Sequence, residues 1–556
     1  MNEFQLRFSK ILFYYNGILE FKEKKGDNED FNYKIEDEKI KLNLFLKHKK
    51  YLKKIVIEYE ILEPKNIKIF RNGFSSWSSS YLIEQYKKFR NPPIKELKFH
   101  YLNPTNPDER CSYFLTYLKN NKYLIFYPEN SSVFTYFYLK YNLLRINLEI
   151  EKEVYGEVSL PEILTKESNN PILNGDFNQK IYGWTSWYYY YRNIDKEKII
   201  KNIDYIDKLP INIDYFQIDD GWEDSIGDWN EKPKFKNSLK EIGEKIKDKN
   251  VKPGIWVAPF VVEKSSKIFK EKSPLILKNK NGNPVPVGFN PLWGGYFYAL
   301  DMNRDDSIDY VLEKLILLKE KGFELFKLDF LYAFFNSYIT KKIDESIYER
   351  YIFVMKKIKK ELKDSKILGC GAPYILMDGV YDILRIGPDT KDGWKDYFTR
   401  LIGFSENVEA FNSLRNTLFR TISTPKFFLS DPDVVFIKPK KLNSFERDSI
   451  LIIDYFLSNV IFFSDPLYNL SDNDFSLLLK LKEIKNYYIT DFKFNDYLFE
   501  YKISFENKIV NLYVNLSDKK NKIDIKGEEI LNKRDDNFIY PHESRVFIQK
   551  WFYRLI

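Results

Sequence analysis

From the start of the chain to about residue 178, short runs of aromatic and β-branched residues alternate with clusters of Asn, Gly, Pro and Lys. Runs such as Tyr51–Tyr59, Tyr123–Tyr127 and Leu143–Val154 predict the strands of an antiparallel β-sandwich. From Lys180 onward, strand-length apolar runs alternate with longer segments of helical period, the signature of βαβ units and a parallel sheet. These runs are Ile181–Trp187, Asp214–Asp220, Lys252–Phe260, Glu324–Phe330, Lys366–Gly371, Ile383–Asp389, Lys426–Asp431 and Asn459–Asp465. Helical patterns at Lys196–Lys208, Ser307–Lys321, Asp344–Lys363 and Ser444–Leu457 fall between them. Eight such runs favour an α/β fold closed as a (β/α)₈ TIM barrel over an open doubly wound sheet. The lack of a Gly-rich phosphate fingerprint points the same way. After a helix near Phe475–Lys485, short strands return at Leu498–Ile503, Ile509–Asn515 and Ser544–Gln549. The expected organisation is an N-terminal β-sandwich over 1–178, a barrel over 179–487 and a C-terminal antiparallel β domain over 488–556.

A chain of 556 residues exceeds what one hydrophobic core supports, in keeping with several domains. Its formal charge of +8 does not point to nucleic acid, because the Lys residues are interleaved with Asp and Glu throughout. The local run Lys47–Lys54 reads as a solvated face. Two cysteines, Cys111 and Cys370, make no disulfide framework, so a reducing, cytoplasmic compartment is expected, with no structural zinc. The opening Met1–Lys10 lacks the basic start and unbroken apolar run of an export signal. The most apolar stretch, Ser449–Ser464, is broken by Asp454, Ser458 and Asn459 and is too short to span a bilayer. The expectation is a soluble protein with no membrane and no nucleic-acid partner; oligomeric state is left open.

In a barrel of this kind the site lies where the strands end, so the polar residue closing each apolar run is the one to inspect. Asp closes run after run, at Asp219, Asp220, Asp329, Asp389, Asp431 and Asp465. One such Asp serves equally well as a helix cap, but a whole set on one rim points to a polar pocket. Strand alternation puts Lys327 and Asp329 on one face, pointing into the barrel mouth, with Phe326, Leu328 and Phe330 packed outward. Arg385, Gly387 and Asp389 share a face by the same rule. Two carboxylates on different strands are what glycoside hydrolysis needs, one to attack the anomeric carbon and one to protonate the leaving oxygen. Lys327 is expected to keep Asp329 ionised and nucleophilic, whereas Asp389 must hold a proton, a state that a close Arg385 would oppose.

Residues suited to a sugar surround these carboxylates. Trp184, Trp187 and Trp256 offer ring faces to C–H surfaces, and the adjacent Asp219 and Asp220 can accept from neighbouring hydroxyls. The aromatic share of 17% is high, but most of those rings are spread along the chain and belong to cores. His48, His100 and His542 all lie outside the barrel, which disfavours His-centred acid/base chemistry and a metal site. No cofactor is expected, since two carboxylates and water suffice.

Taken together, Gly183–Tyr188, Phe216–Asp220, Pro253–Trp256, Phe326–Phe330, Ile367–Gly371, Arg385–Thr390 and Asp431–Asp433 resemble, in order and spacing, the motifs of glycoside hydrolase family 36. Within that family the chain resembles the compact α-galactosidases of thermophilic bacteria and archaea. The resemblance implies a retaining α-galactosidase acting on a small carbohydrate, with Asp329 as nucleophile and Asp389 as acid/base. It implies that Asp219 and Asp220 hold the galactose 4- and 6-hydroxyls, and that Lys327, Cys370 and Arg385 are further sugar contacts, Cys370 near the 2-hydroxyl. Trp187 and Trp256 correspond to pocket aromatics, and Trp77 resembles a Trp lent by the N-terminal domain. Gly221-Trp222 departs from the pattern and is expected to reshape the pocket edge.

The same carboxylates would also serve an α-N-acetylgalactosaminidase or an α-galactosyl transglycosylase, which share the covalent intermediate. A Schiff-base aldolase using Lys327 is disfavoured because that Lys sits beside Asp329. A sugar-binding protein without catalysis is the remaining alternative.

Overall fold

The structure, a computed structural model, describes residues 6–36, 40–62, 68–82, 110–112, 115–119, 122–130, 133–140, 142–168, 176–271, 273–336, 344–373, 379–401, 406–421, 428–531, 534 and 536–550. His100 lies outside them.

The eight apolar runs form the barrel, as Ile181–Thr185, Tyr215–Ile218, Lys252–Val257, Leu325–Leu328, Lys366–Gly369, Ile383–Arg385, Leu429–Asp431 with Val434–Val435, and Val460–Phe463. Paired neighbours run parallel, and the eighth strand returns to the first, with Ile181 opposite Val460 and Trp184 opposite Phe463. The seventh strand is split. Its first half pairs with the sixth, Arg385 opposite Asp431, and its second half with the eighth, Val434 opposite Phe462. Between the halves stand Pro432, which has no N–H to give, and Asp433, whose φ of 104° no regular strand adopts. Asn459 helps to close the gap: its side-chain oxygen accepts from Ser430 N at 3.0 Å and its backbone N–H donates to Ser430 O at 3.0 Å. Seven of the predicted runs overshoot their strands at the C-terminal end, the exception being Lys426–Asp431, and those surplus residues are the loops that carry polar chemistry.

Helices follow with their caps. Ser346 and Glu349 make a capping box for Ile347–Glu361, and Asn443 and Glu446 make another for Ser444–Leu457. Lys196–Ile203 starts at Asp195, whose side chain accepts from Lys198 N. Two elements go beyond the sequence expectation. The helix Ala410–Thr421 is buried along its whole length, Asn412, Asn416 and Arg420 included, so it shows no polar face from which a period could be read. Between the third and fourth barrel strands, Val261–Glu263, Pro286–Asn290 and Gly295–Ala299 form a small antiparallel sheet.

Among the described residues, the N-terminal region forms an eight-stranded and a five-stranded antiparallel sheet. The strand Lys122–Pro128 shows how they join the barrel. Leu124 and Phe126 face the sandwich core with Ile55, Ile57 and Ile146, while Tyr123 and Ile125, on the opposite face, belong to the barrel's cluster. The Tyr123 hydroxyl donates to Phe492 O in the C-terminal sheet at 3.3 Å. That five-stranded sheet, built on Tyr487–Asn495, Leu498–Phe505 and Lys508–Asn515, packs Phe492, Tyr501 and Val510 into the same cluster. Among the described residues no helix is long and apolar enough to cross a membrane.

Candidate active site

A cavity of about 220 Å³ opens at the C-terminal ends of the barrel strands. Trp77, Trp187, Asp219, Asp220, Trp256, Lys327, Asp329 and Asp389 line it, together with Phe289, Asn290, Leu292, Trp293, Phe330, Pro388 and Val408. Cys370 and Arg385, expected as sugar contacts, are not among the lining residues, and both are essentially buried.

The fourth strand ends at Leu328, so Asp329 stands one residue past the ladder. Trp256 Nε1 donates to Asp329 Oδ2 at 2.9 Å, and the backbone N–H of Phe330 donates to Oδ1 at 2.7 Å. Both oxygens are thereby fixed, which favours the carboxylate. Lys327 donates to Asp219 Oδ2 at 2.8 Å, across to the second strand, and acts on Asp329 through space. Burial pushes the Asp329 carboxyl above its ordinary range, with Lys327 pulling it down and Asp389 pushing it up. One expectation is corrected here, since Phe330 does not pack outward. Its φ of 55° breaks the alternation and turns the ring into the pocket, 4.7 Å from Trp293 and 5.2 Å from Trp77 between ring centres.

Asp389 follows the sixth strand. Arg385 Nη1 donates to its Oδ1 at 2.9 Å, and its side chain keeps 33% of its surface exposed against 2% for Arg385. The close Arg385 raised by the sequence is thus present and bonded to Asp389. That guanidinium is divided, however, because Nε donates to Asp431 Oδ2 at 3.2 Å and Nη2 lies 2.6 Å from Asp433 Oδ1. Asp433 also accepts from the Tyr188 hydroxyl and from Thr390 N, and burial pushes its carboxyl up to about 7 against the pull of Arg385. Neither Tyr188 nor Asp433 was picked out as a site residue from the sequence.

The Asp219–Asp220 pair is held apart by different partners. Asp219 Oδ2 accepts from Lys327 and, at 2.8 Å, from Gln217 Nε2, while Oδ1 accepts from Asp220 N at 2.9 Å. Asp220 Oδ2 accepts from Trp293 Nε1 at 2.9 Å, and its Oδ1 lies 3.0 Å from Arg192 Nε. Arg192 also donates to Glu223, whose burial beside Asp220 drives its carboxyl well above the ordinary range. Arg192, Glu223 and the wall residues Phe289, Asn290, Leu292 and Trp293 were not foreseen. No short-range pattern marks them, since the small inserted sheet brings most of them in.

Three further expectations shift. Trp184 is core, fully buried, 4.3 Å from the Phe216 ring and donating to Asp465 O. Asp465 accepts from Ile437 N and Lys438 N and so braces a loop. Trp222 is also core and does not form the pocket edge: it is fully buried and donates to Trp256 O at 3.0 Å. Gly221, at φ 119°, lets the Arg192 backbone approach where a Cβ would stand 2.7 Å from its Cα.

The profile of the melibiase family matches residues 170–371, which span the first five barrel strands with Asp219, Asp220, Asp329 and Cys370. Among curated relatives, alpha-galactosidase Mel36A of Lactobacillus acidophilus is 23% identical over 41% of this chain and 30% of its own length. An alpha-galactosidase of Escherichia coli is 28% identical over 21% of this chain and 18% of its own. The matched stretches therefore span less than a third of these relatives. Among solved structures, TtGalA, an alpha-galactosidase from Thermus thermophilus in complex with p-nitrophenyl alpha-D-galactopyranoside, superposes with a TM-score of 0.67 at 20% identity, covering 83% of this chain and 96% of that one. The GH36 alpha-galactosidase AgaA from Geobacillus stearothermophilus gives 0.59 at 14% identity, covering 98% and 87%. At these identities the likeness establishes the fold: a barrel flanked by β domains.

Proposed function

We propose that the protein is a retaining α-galactosidase, releasing terminal α-linked galactose from oligosaccharides or simple glycosides. The observation that carries this reading is the pair of carboxylates on the fourth and sixth strands, one deep and held by two donors, the other at the open side of the same cavity. Asp329 attacks the anomeric carbon as the glycosidic C–O bond breaks, and Asp389 gives its proton to the departing oxygen. Asp389 then takes a proton from water, whose oxygen displaces Asp329 and restores the α configuration. Asp219 and Asp220, oriented by Lys327 and Trp293, accept from sugar hydroxyls; Trp77, Trp187 and Trp256 cover the ring's apolar faces. The names of the relatives and of the superposed structures support galactose as the sugar. Arg385 holds Asp389 while Asp431 and Asp433 share its charge, so a proton arriving on Asp389 leaves the guanidinium paired.

We further place the domain limits at 178 and 487; the first falls between the last sandwich strand, Ile163–Ser168, and the first barrel strand, Ile181–Thr185, and the second falls on the opening residue of the C-terminal strand Tyr487–Asn495. A cytoplasmic location fits a chain with two cysteines.

Release of nitrophenol from p-nitrophenyl α-galactoside tests the reading, with the α-glucoside and N-acetyl-α-galactosaminide alongside. Turnover of the galactoside, lost in Asp329→Ala and restored by azide as β-galactosyl azide, supports both activity and nucleophile. Cleavage of another glycoside instead would overturn the sugar, and cleavage of none would leave a binding protein.

A further inference from the structure

Trp77 stands in Ser75-Ser76-Trp77-Ser78-Ser79-Ser80, a polar sequence in which Ser75, Ser76, Ser78 and Ser80 are nevertheless buried. Such a segment enters an interior only if its backbone groups find partners. One side chain supplies partners for three of its carbonyls. Arg420, near the end of the buried helix Ala410–Thr421 and itself fully buried, donates from Nη2 to Ser75 O at 2.8 Å and Ser78 O at 2.7 Å, from Nη1 to Ser76 O at 2.6 Å, and from Nε to Ser80 Oγ at 2.9 Å. Its remaining Nη1 bond goes to Ile386 O at 2.9 Å, on the segment between Arg385 and Asp389. Asn416, one turn earlier, accepts from Ser80 N and donates to Ser78 O, both at 2.9 Å. On the other side Ser76 N donates to Ala372 O at 2.7 Å.

From this geometry we propose that Arg420 is a positioning residue: it holds the N-terminal loop so that Trp77 closes the sugar pocket, and it ties that loop to the strand end carrying the proposed acid/base. The inference rests on the α-galactosidase reading for its kinetic part. All five guanidinium N–H directions are used, four of them on the loop, so the planar fork fixes the loop's height and tilt together. A lysine, with a single ammonium and three donors, cannot hold both. Trp77, with its ring 5.2 Å from Phe330 and 5.7 Å from Tyr332, then follows the loop as a rigid wall.

The test combines two readouts on the full chain. Amide hydrogen exchange over residues 75–80 is compared for wild type, Arg420→Lys and Ser80→Ala, with Leu325–Leu328 as the internal reference. KM and kcat on p-nitrophenyl α-galactoside are measured for the same proteins, for Trp77→Ala and for Trp77→Ala/Arg420→Lys. The expected result is exchange roughly tenfold faster over 75–80 in Arg420→Lys with the reference strand unmoved. KM should rise about as far as in Trp77→Ala, kcat should change less, and the double variant should be no worse than Trp77→Ala alone. Unchanged exchange over 75–80, or KM effects that multiply in the double variant, would overturn the proposal. If Arg420→Lys does not fold, Ser80→Ala decides through the same exchange readout. If the wild type is inert on the galactoside, the catalytic reading falls while the exchange comparison still judges the positioning role.

Discussion

Trp256 and Asp329 are joined by an indole N–H that donates to Oδ2 at 2.9 Å inside a buried site. A bond from a neutral donor to a charged acceptor contributes about 1.5–3 kcal/mol. Trp256→Phe keeps most of the ring and removes the donor, so kcat/KM should fall roughly 10- to 100-fold. The donor also favours ionised Asp329 against the upward push of burial. Its loss should therefore move the acid limb of the kcat/KM profile to higher pH; an unmoved limb would remove Asp329 from that titration.

Lys327 and Asp219 form an ion pair at 2.8 Å with side chains only 7% and 3% exposed. Lys327→Met leaves the Asp219 carboxylate buried without its cation, a change of about 3–5 kcal/mol for pairs of this kind. Calorimetry should show the barrel transition moving down by several degrees, with galactoside turnover lost. Lys327→Met/Asp219→Leu should recover much of the stability and none of the activity.

Asp433 supplies a pH dependence with a defined sign. Its folded value of about 7 lies above the ordinary carboxylate value near 4, so the native state binds the extra proton between them. The stability this contributes is fully present below about pH 4 and is lost as pH rises through about 7. The wild type should therefore lose melting temperature relative to Asp433→Asn across that window. An inflection of activity near pH 7 that disappears in Asp433→Asn would show the same group acting on Arg385 and Asp389.

Gly371 has a φ of 56°, and a Cβ there would stand 3.2 Å from the Trp77 ring and 3.3 Å from the Phe330 backbone. Gly371→Ala should cost about 1–2 kcal/mol for the left-handed backbone alone. Because the contact is with the pocket wall, KM should also rise. A stability loss without a KM change would show Trp77 free to give way.

Much of this protein is written in local sequence. Strand-length apolar runs separated by helical periods specify the barrel, because neighbouring strands read nearest-neighbour patterning and the ring closes once eight are present. Asp329, Asp389, Asp219 and Asp220 are legible for the same reason, each standing where an apolar run ends. What the sequence leaves undecided is which charge meets which. Lys327 shares a face with Asp329 but bonds Asp219, because the partner across the barrel lies closer to its ammonium than the residue past the strand end. Phe330 turns inward through one left-handed backbone angle, and Trp222 vanishes into the core. Arg420 sits in a helix with no exposed face, and its role exists only once a loop more than three hundred residues earlier folds against it. Period and spacing are properties of neighbours along the chain, and they determine elements; hydrogen bonds and ion pairs form across space, and only the packed tertiary structure chooses among them.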